Sequence, residues 1–286
     1  MRKIIAIIFS IVLLVANAYV LLDTFVLERR YDSVIVDSTA NTTDDEQITA
    51  NTANTIIMDD PVTIDDTVVY VAHIYLGDGQ LIQSALAENT FGKNITDTTS
   101  NMAELAGATV ATNGDFYGAR TSGYVIRNGA LLRATKANDD QEDMVLWADG
   151  TMSIILEGDY TAQELLDMGA VQVLSFGPGL IIEGDIIVTS SDEVGKAMES
   201  NPRTAIGYIS ANHYVFVVAD GRTDESAGLS LIQLANFMQT LGVTQGYNLD
   251  GGGSSTMFYD GDVINNPTTN GKRISEREVS DILYVI

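Results

Sequence analysis

The chain contains no cysteine. Disulfides, a thiol nucleophile and cysteine-ligated zinc are therefore excluded. Histidine is nearly as scarce, with His73 and His213 alone in 286 residues. A histidine-rich metal centre or a serine–histidine triad has little material to work with. Each histidine falls in a β-rich stretch, where a strand or turn role suffices. Cations are the third deficit: 15 Lys and Arg face 39 Asp and Glu, a formal net charge of −24. Nucleic acid is not an expected partner, because neutralising phosphates needs clustered cations. Two familiar loops are also missing. The glycine run at Gly251-Gly252-Gly253 has no P-loop lysine after it. No glycine follows Ser254 by two residues, which excludes a G-x-S-x-G nucleophile elbow.

What is present begins with a membrane signal. Arg2 and Lys3 precede residues 4–22, nineteen positions without a charge. That length just spans a bilayer core. The basic pair predicts a single-pass protein of the cell membrane, N-terminus inside and C-terminal domain outside. Ala16-Asn17-Ala18 offers an alternative, secretion after signal cleavage. The apolar run continues through Tyr19-Val20-Leu21-Leu22, which favours an uncleaved anchor over residues 1–22. Residues 23–60, rich in Thr, Asn and Asp, read as a polar stalk with too little apolar surface to order itself. Residues 31–66 carry nine acids and no Lys or Arg. Residues 61–286 then form the domain, and the 45% hydrophobic content of the chain supports a sizeable core.

Within the domain, turn chemistry marks the elements. Residues 67–75, rich in β-branched and aromatic side chains, precede Gly77-Asp78-Gly79 and a return run over 80–86, a hairpin signal. Asn128-Gly129 and Asp149-Gly150 are strong two-residue turn signals, and Ala211-Asn212 joins two further strands. Asn101 is the expected N-cap of a short helix. Thr161 with Glu164 forms a capping-box pattern. Residues 229–241 place Leu231, Leu234, Ala235, Met238 and Leu241 on one helical face, ending at Gly242. Many hairpins and few helices predict an α+β fold, a mainly antiparallel mixed-sheet domain.

Four polar clusters lie at strand ends: Asn113-Gly114-Asp115, Asn201-Pro202-Arg203, Asp220-Gly221-Arg222 and Asp250-Gly251-Gly252-Gly253-Ser254-Ser255. Three consecutive glycines are costly to order, so something must approach the main chain closely there. Their N–H groups can cradle an anion. A glycine-rich hairpin loop without chemistry is the bland alternative. From residue 67 onward only 11 Lys or Arg face 28 Asp or Glu. Arginines beside glycine turns therefore stand out, and Arg203 and Arg222 suit fork-like binding of phosphate or carboxylate.

Together with Pro202-Arg203-Thr204-Ala205-Ile206-Gly207, Leu249-Asp250-Gly251-Gly252-Gly253-Ser254-Ser255-Thr256-Met257 and Arg277-Glu278-Val279-Ser280, these clusters resemble the phosphodiester glycosidase family. The resemblance covers residues 68–286. It departs at Asp115-Phe116-Tyr117, where the family pattern is Gly-Phe-Phe-like, and in lacking the cysteines of animal members. It implies hydrolysis of a sugar-1-phosphodiester, within a phosphorylated glycan or cell-wall polymer, to free sugar and phosphomonoester. Bacterial members are often labelled exopolysaccharide-related. That chemistry needs a carboxylate to activate water or attack the anomeric carbon, and cations to hold phosphate. Asp250 is the first choice, with Asp220 and Asp115 as reserves. Asn113, Ser254 and Ser255 would hydrogen-bond sugar or phosphate, with Gly251, Gly252 and Gly253 as the nest. No cofactor is required. Asp and Asn oxygens also suit Ca²⁺ or Mg²⁺, although a metal-free site is preferred. The rival reading is a non-catalytic surface module that binds anionic glycans, and a third is a structural wall-assembly protein.

A protease added to intact cells is expected to release the domain. A domain that survives while other surface proteins are cut would refute the anchored topology.

Overall fold

The computed structural model describes residues 29–30, 53–189, 192 and 200–286. The proposed anchor at 1–22 lies outside these residues, as does most of the stalk. No helix among the described residues is long and apolar enough to cross a membrane.

An eight-stranded sheet forms the centre. Its middle is the hairpin of Arg203–Ser210 and His213–Ala219, with Ile206 opposite Phe216. Thr67–Tyr75 flanks this hairpin on one side and Gln245–Asn248 on the other. The pairings of the three large sheets are antiparallel.

Strand periodicity divides the apolar residues between two layers. Val215 and Val217 face the helix Leu231–Thr240, which buries Leu231, Leu234, Ala235 and Met238 against them. Phe216 and Val218 face the opposite way, into a core shared with two five-stranded sheets. Met144, Leu146 and Leu174 come from the first of these and Val110, Met257 and Leu283 from the second. A strand buried on both faces reads as a continuous apolar run, and residues 214–219 do so.

Local signals hold where the contacts are local. Asn128 and Gly129 both take positive φ, 50° and 75°, and join Val125–Arg127 to Ala130–Arg133. The Thr161–Glu164 capping box forms. The helix expected over 229–241 begins at Leu231 because Ser230 and Gln233 make a second capping box.

Three expectations are corrected. Thr67–Tyr75 does not fold back on residues 80–86. Its edges pair with His213–Ala219 and with Thr55–Met58 and Val62–Ile64, while Gln83–Leu86 pairs with Asp281–Val285 in another sheet. Asn101 is not an N-cap. Thr98 caps Thr99–Ala106, its hydroxyl accepting the Asn101 N–H, which sits one turn inside the helix. The ordered domain also starts before Pro61. Thr55–Met58 is a paired strand whose Ile56 and Met58 pack on the central core.

His73 and His213 lie on adjacent strands with ring nitrogens 3.0 Å apart, a satisfied cross-strand pair. Removing residues 1–53 is expected to leave a cooperative melt. Removing 1–60 deletes the Thr55–Met58 strand and should cost about 2 kcal/mol, the burial of two partly covered apolar side chains. Equal melting temperatures for the two truncations would refute the assignment.

Candidate active site

The glycine stretch is stitched into the fold from both sides. Leu249 N–H donates to Thr204 O at 2.9 Å, and Asp250 N–H to Gly114 O at 3.2 Å. Gly252 N–H donates to Pro202 O at 2.8 Å. A Cβ on Gly251 would lie 2.9 Å from that same carbonyl. Gly252 has φ +63°, and a Cβ there would lie 3.0 Å from the Arg222 guanidinium. Close approach is thus the reason for the glycines, and one of the approaching groups is an arginine side chain.

Asp250 and its neighbours open into a cleft of about 390 Å³ lined by Arg120, Phe176, Arg203, Arg222 and Arg277 among others. Asp250 is 8% exposed. Its carboxylate accepts from Arg277 Nη2 at 2.9 Å. The same guanidinium donates to Ser254 Oγ, from Nε at 2.9 Å and Nη2 at 2.6 Å. Burial pushes the Asp250 carboxyl above its usual range, with Arg277, Ser254 and Arg120 pulling the other way.

The other arginines are held by main-chain carbonyls. Arg203 Nε donates to Leu229 O at 2.8 Å. Arg222 donates to Thr269 O at 2.6 Å and to Asn201 Oδ1 at 3.0 Å. Partial burial, then the Arg277 charge, lowers the Arg222 pKa. Arg120 Nη1 donates to Ser175 O at 3.0 Å, and its Cζ lies 5.1 Å from the centre of the Phe176 ring. Anchored guanidiniums in a partly enclosed cleft favour an anion.

Not every expected site residue reaches the cleft. Asp220 is 2% exposed and accepts from Asn265 Nδ2, Asn266 N–H and Asn266 Nδ2 at 2.9–3.0 Å, which pins the 265–266 turn. Asp115 is fully buried, 2.9 Å from Arg127 Nη2, and accepts from Tyr117 and Ser175 N–H. Asn113 lies behind the loop: its Nδ2 donates to Asp250 O at 2.7 Å and its Oδ1 accepts from Thr204 Oγ1 at 2.9 Å. Ser254 is buried and reaches the site through Arg277, while Gly253 and Ser255 are buried beneath the loop. Arg203, Arg222, Asp250, Gly251 and Gly252 do converge on the cleft.

Sequence reasoning placed Arg277 in a motif without giving it a role. An arginine in a cation-poor chain was the signal available. Arg120 and Phe176 carried no such signal. Among the described residues, no group of three or more His, Asp or Glu is placed to enclose a metal ion.

An enclosed carboxylate among anchored arginines, in an α+β domain, suits an anionic ligand. The chain belongs to the phosphodiester glycosidase family, whose model matches residues 106–286. It is 30% identical over 188 residues to N-acetylglucosamine-1-phosphodiester alpha-N-acetylglucosaminidase of Mus musculus, covering 60% of this chain and 35% of the mouse protein. It is 29% identical over 201 residues to SPbeta prophage-derived uncharacterized protein YomE of Bacillus subtilis (strain 168), covering 68% of this chain and 30% of that one. The chain thus spans about a third of the length of these relatives. Its fold is similar to the catalytic domain of zebrafish N-acetylglucosamine-1-phosphodiester alpha-N-acetylglucosaminidase auto-inhibited by its pro-peptide. The TM-score is 0.64 at 19% identity, over 89% of this chain and 87% of that one.

Carbon-13 NMR titration is expected to place the Asp250 carboxyl above the ordinary aspartate value of about 3.9. Arg277→Gln should move it higher still, because the cation that favours the charged form is gone. A shift downward, or none, would refute the pairing.

Proposed function

We propose that the domain hydrolyses a sugar-1-phosphodiester in a phosphorylated glycan or cell-wall polymer, outside the cell, to free sugar and a phosphomonoester. The observation that carries this reading is Asp250, an enclosed acid that lines an arginine-rich cleft. Arg222 and Arg203 hold the phosphate, and Arg277 joins that grip while keeping Asp250 ionised and oriented. The bond between the anomeric carbon and the phosphate oxygen breaks, and its electron pair leaves with the phosphate. A phosphomonoester is a good leaving group, so it needs less acid assistance than an ordinary sugar alcohol. Water supplies the new oxygen on the sugar. Asp250 takes the water proton, or attacks first and is released by water; both routes need its ionised form. Asn113 acts from behind by fixing the Asp250 main chain. Asp115 and Asp220 hold the scaffold.

A module that only bound anionic glycans would use the same arginines, but would have no need of an enclosed acid beside them. Burial and the raised pKa of Asp250 support the catalytic reading.

Asp250→Asn is expected to lower kcat by at least about 10²–10⁴-fold, the worth of a general base. The shape and the turn survive this exchange, so the melting temperature should hold or rise, since a carboxyl that is costly to ionise in the fold is gone. The assay is release of free sugar from a panel of sugar-1-phosphodiesters, headed by the N-acetylglucosamine form named for the mouse relative. A folded Asp250→Asn protein with near-parental kcat would refute the role.

A further inference from the structure

Asp143 is a fully buried acid that the proposed reaction does not use. It belongs to the Glu142–Trp147 strand and is 0% exposed. Neither of its carboxyl oxygens receives a hydrogen bond from the described residues. A buried carboxylate without a donor is strongly unfavourable.

The donors around it are committed elsewhere. Glu157, 1% exposed, accepts the Tyr124 N–H at 2.8 Å, the Ala137 N–H and the Ser175 hydroxyl at 3.3 Å. Ser175 has only that one hydroxyl hydrogen. The Tyr247 hydroxyl donates to Glu142 O at 2.7 Å, and the Tyr124 hydroxyl to Tyr160 O at 3.0 Å. Arg127 is bound to Asp115 and Asp281, and Lys136 pairs with Asp139. Asp143 thus faces the acceptors Glu157 and Asp115 without a cation of its own among the described residues. It completes the set only as a donor, in its neutral form. Burial first, and then the Glu157 charge, push its pKa well above the usual carboxylate range.

Ser175 connects this group to the cleft. Its hydroxyl meets Glu157, its N–H meets Asp115 Oδ2 at 2.9 Å, and its carbonyl anchors Arg120 at 3.0 Å. The next residue, Phe176, lines the cleft with Arg120. The space behind Ser175 is closed, since a Cβ on Gly123 would lie 2.6 Å from Ser175 Oγ.

We propose that Asp143 is a positioning residue that keeps its own proton and donates it to Glu157, and that this bond fixes Ser175 and the cleft wall carrying Arg120 and Phe176. The link to catalysis rests on the hydrolase reading above. Loss of the proton sets two like charges together in a space closed to solvent, and the wall loosens.

Asp143→Asn tests this, because it keeps the shape and supplies an N–H to Glu157 at every pH. In the parent the folded pKa of Asp143 lies above the unfolded one. Its stabilisation is therefore complete below the ordinary aspartate value of about 3.9 and is lost as pH rises toward the folded pKa. Across that window the unfolding constant of the parent should rise about tenfold more per pH unit than that of Asp143→Asn, the weight of one proton. Asp250 and Asp281 titrate in both proteins and cancel. The alkaline limb of kcat/KM on a sugar-1-phosphodiester should be lost, or move to higher pH, in the variant. Carbon-13 NMR of the parent alone should show the Asp143 carboxyl titrating well above about 3.9, a reading that does not depend on the variant folding. An ordinary Asp143 titration, equal pH slopes of stability, or identical kcat/KM profiles overturns the inference and leaves the hydrolase reading standing. Absence of turnover by both proteins at every pH overturns the hydrolase reading and the link to catalysis, while the NMR titration and the stability slopes still decide the proton between Asp143 and Glu157.

Discussion

A fully buried guanidinium underlies the site. Arg127 is 0% exposed and lies 2.9 Å from Asp115 and 2.8 Å from Asp281. Arg127 belongs to one five-stranded sheet and Asp281 to the other, so the ion pairs join two layers that share a core. Asp115 begins the turn after the Val110–Asn113 strand. Gly114 packs so tightly on Asp281 that a Cβ would overlap the carboxylate, and its carbonyl accepts the Asp250 N–H. The position of the cleft acid is thus referred to a charge cluster that no solvent reaches. A buried ion pair is weak evidence for net stability, but removing one partner costs about 3–5 kcal/mol because the other charge is left unpaired. That asymmetry makes the arrangement hard to loosen.

The loop above this cluster is rigid for a different reason. Its glycines admit protein atoms rather than empty space, with the Pro202 carbonyl against Gly251 and the Arg222 guanidinium against Gly252. Asn113 bridges the loop to the central sheet, donating to Asp250 O while accepting from Thr204 Oγ1. Asp250 therefore meets the cleft with its backbone held on two sides and its side chain held by Arg277. Preorganisation of this kind lowers the cost of reorganising charge during reaction. In an acidic chain, the arginines also focus positive potential where the rest of the surface repels anions.

The features legible in the sequence share a short range. Asn128-Gly129 turns because its own φ angles demand it, and Thr161 caps because Glu164 is three residues away. The glycine loop was visible for the same reason, since three successive glycines are costly anywhere. The Gly77-Asp78-Gly79 hairpin failed because both edges of Thr67–Tyr75 find other partners, one of them some 140 residues away. Thr55–Met58 looked like stalk because a four-residue strand in a Thr- and Asn-rich context has too little pattern to declare itself. Its order comes from the sheet edge it covers.

For the site, residue chemistry and turn spacing alone grouped Asp250, Arg203, Arg222 and the glycines as candidates for binding an anion, and the family resemblance supplied the reaction; of these, Asp250, Arg203, Arg222, Gly251 and Gly252 line one cleft. They did so because an acid and arginines beside glycine turns are unusual in a chain this poor in cations. Only the tertiary structure separated the three aspartates: Asp250 in the cleft, Asp115 on Arg127 and Asp220 on the 265–266 turn. It alone paired Arg277 with Asp250 and set Arg120 on Phe176. The physical reason is that a carboxylate's role depends on its burial and its partners. Those partners lie 12 residues away for Asp115 and 27 for Asp250, and they meet only when the sheets pack.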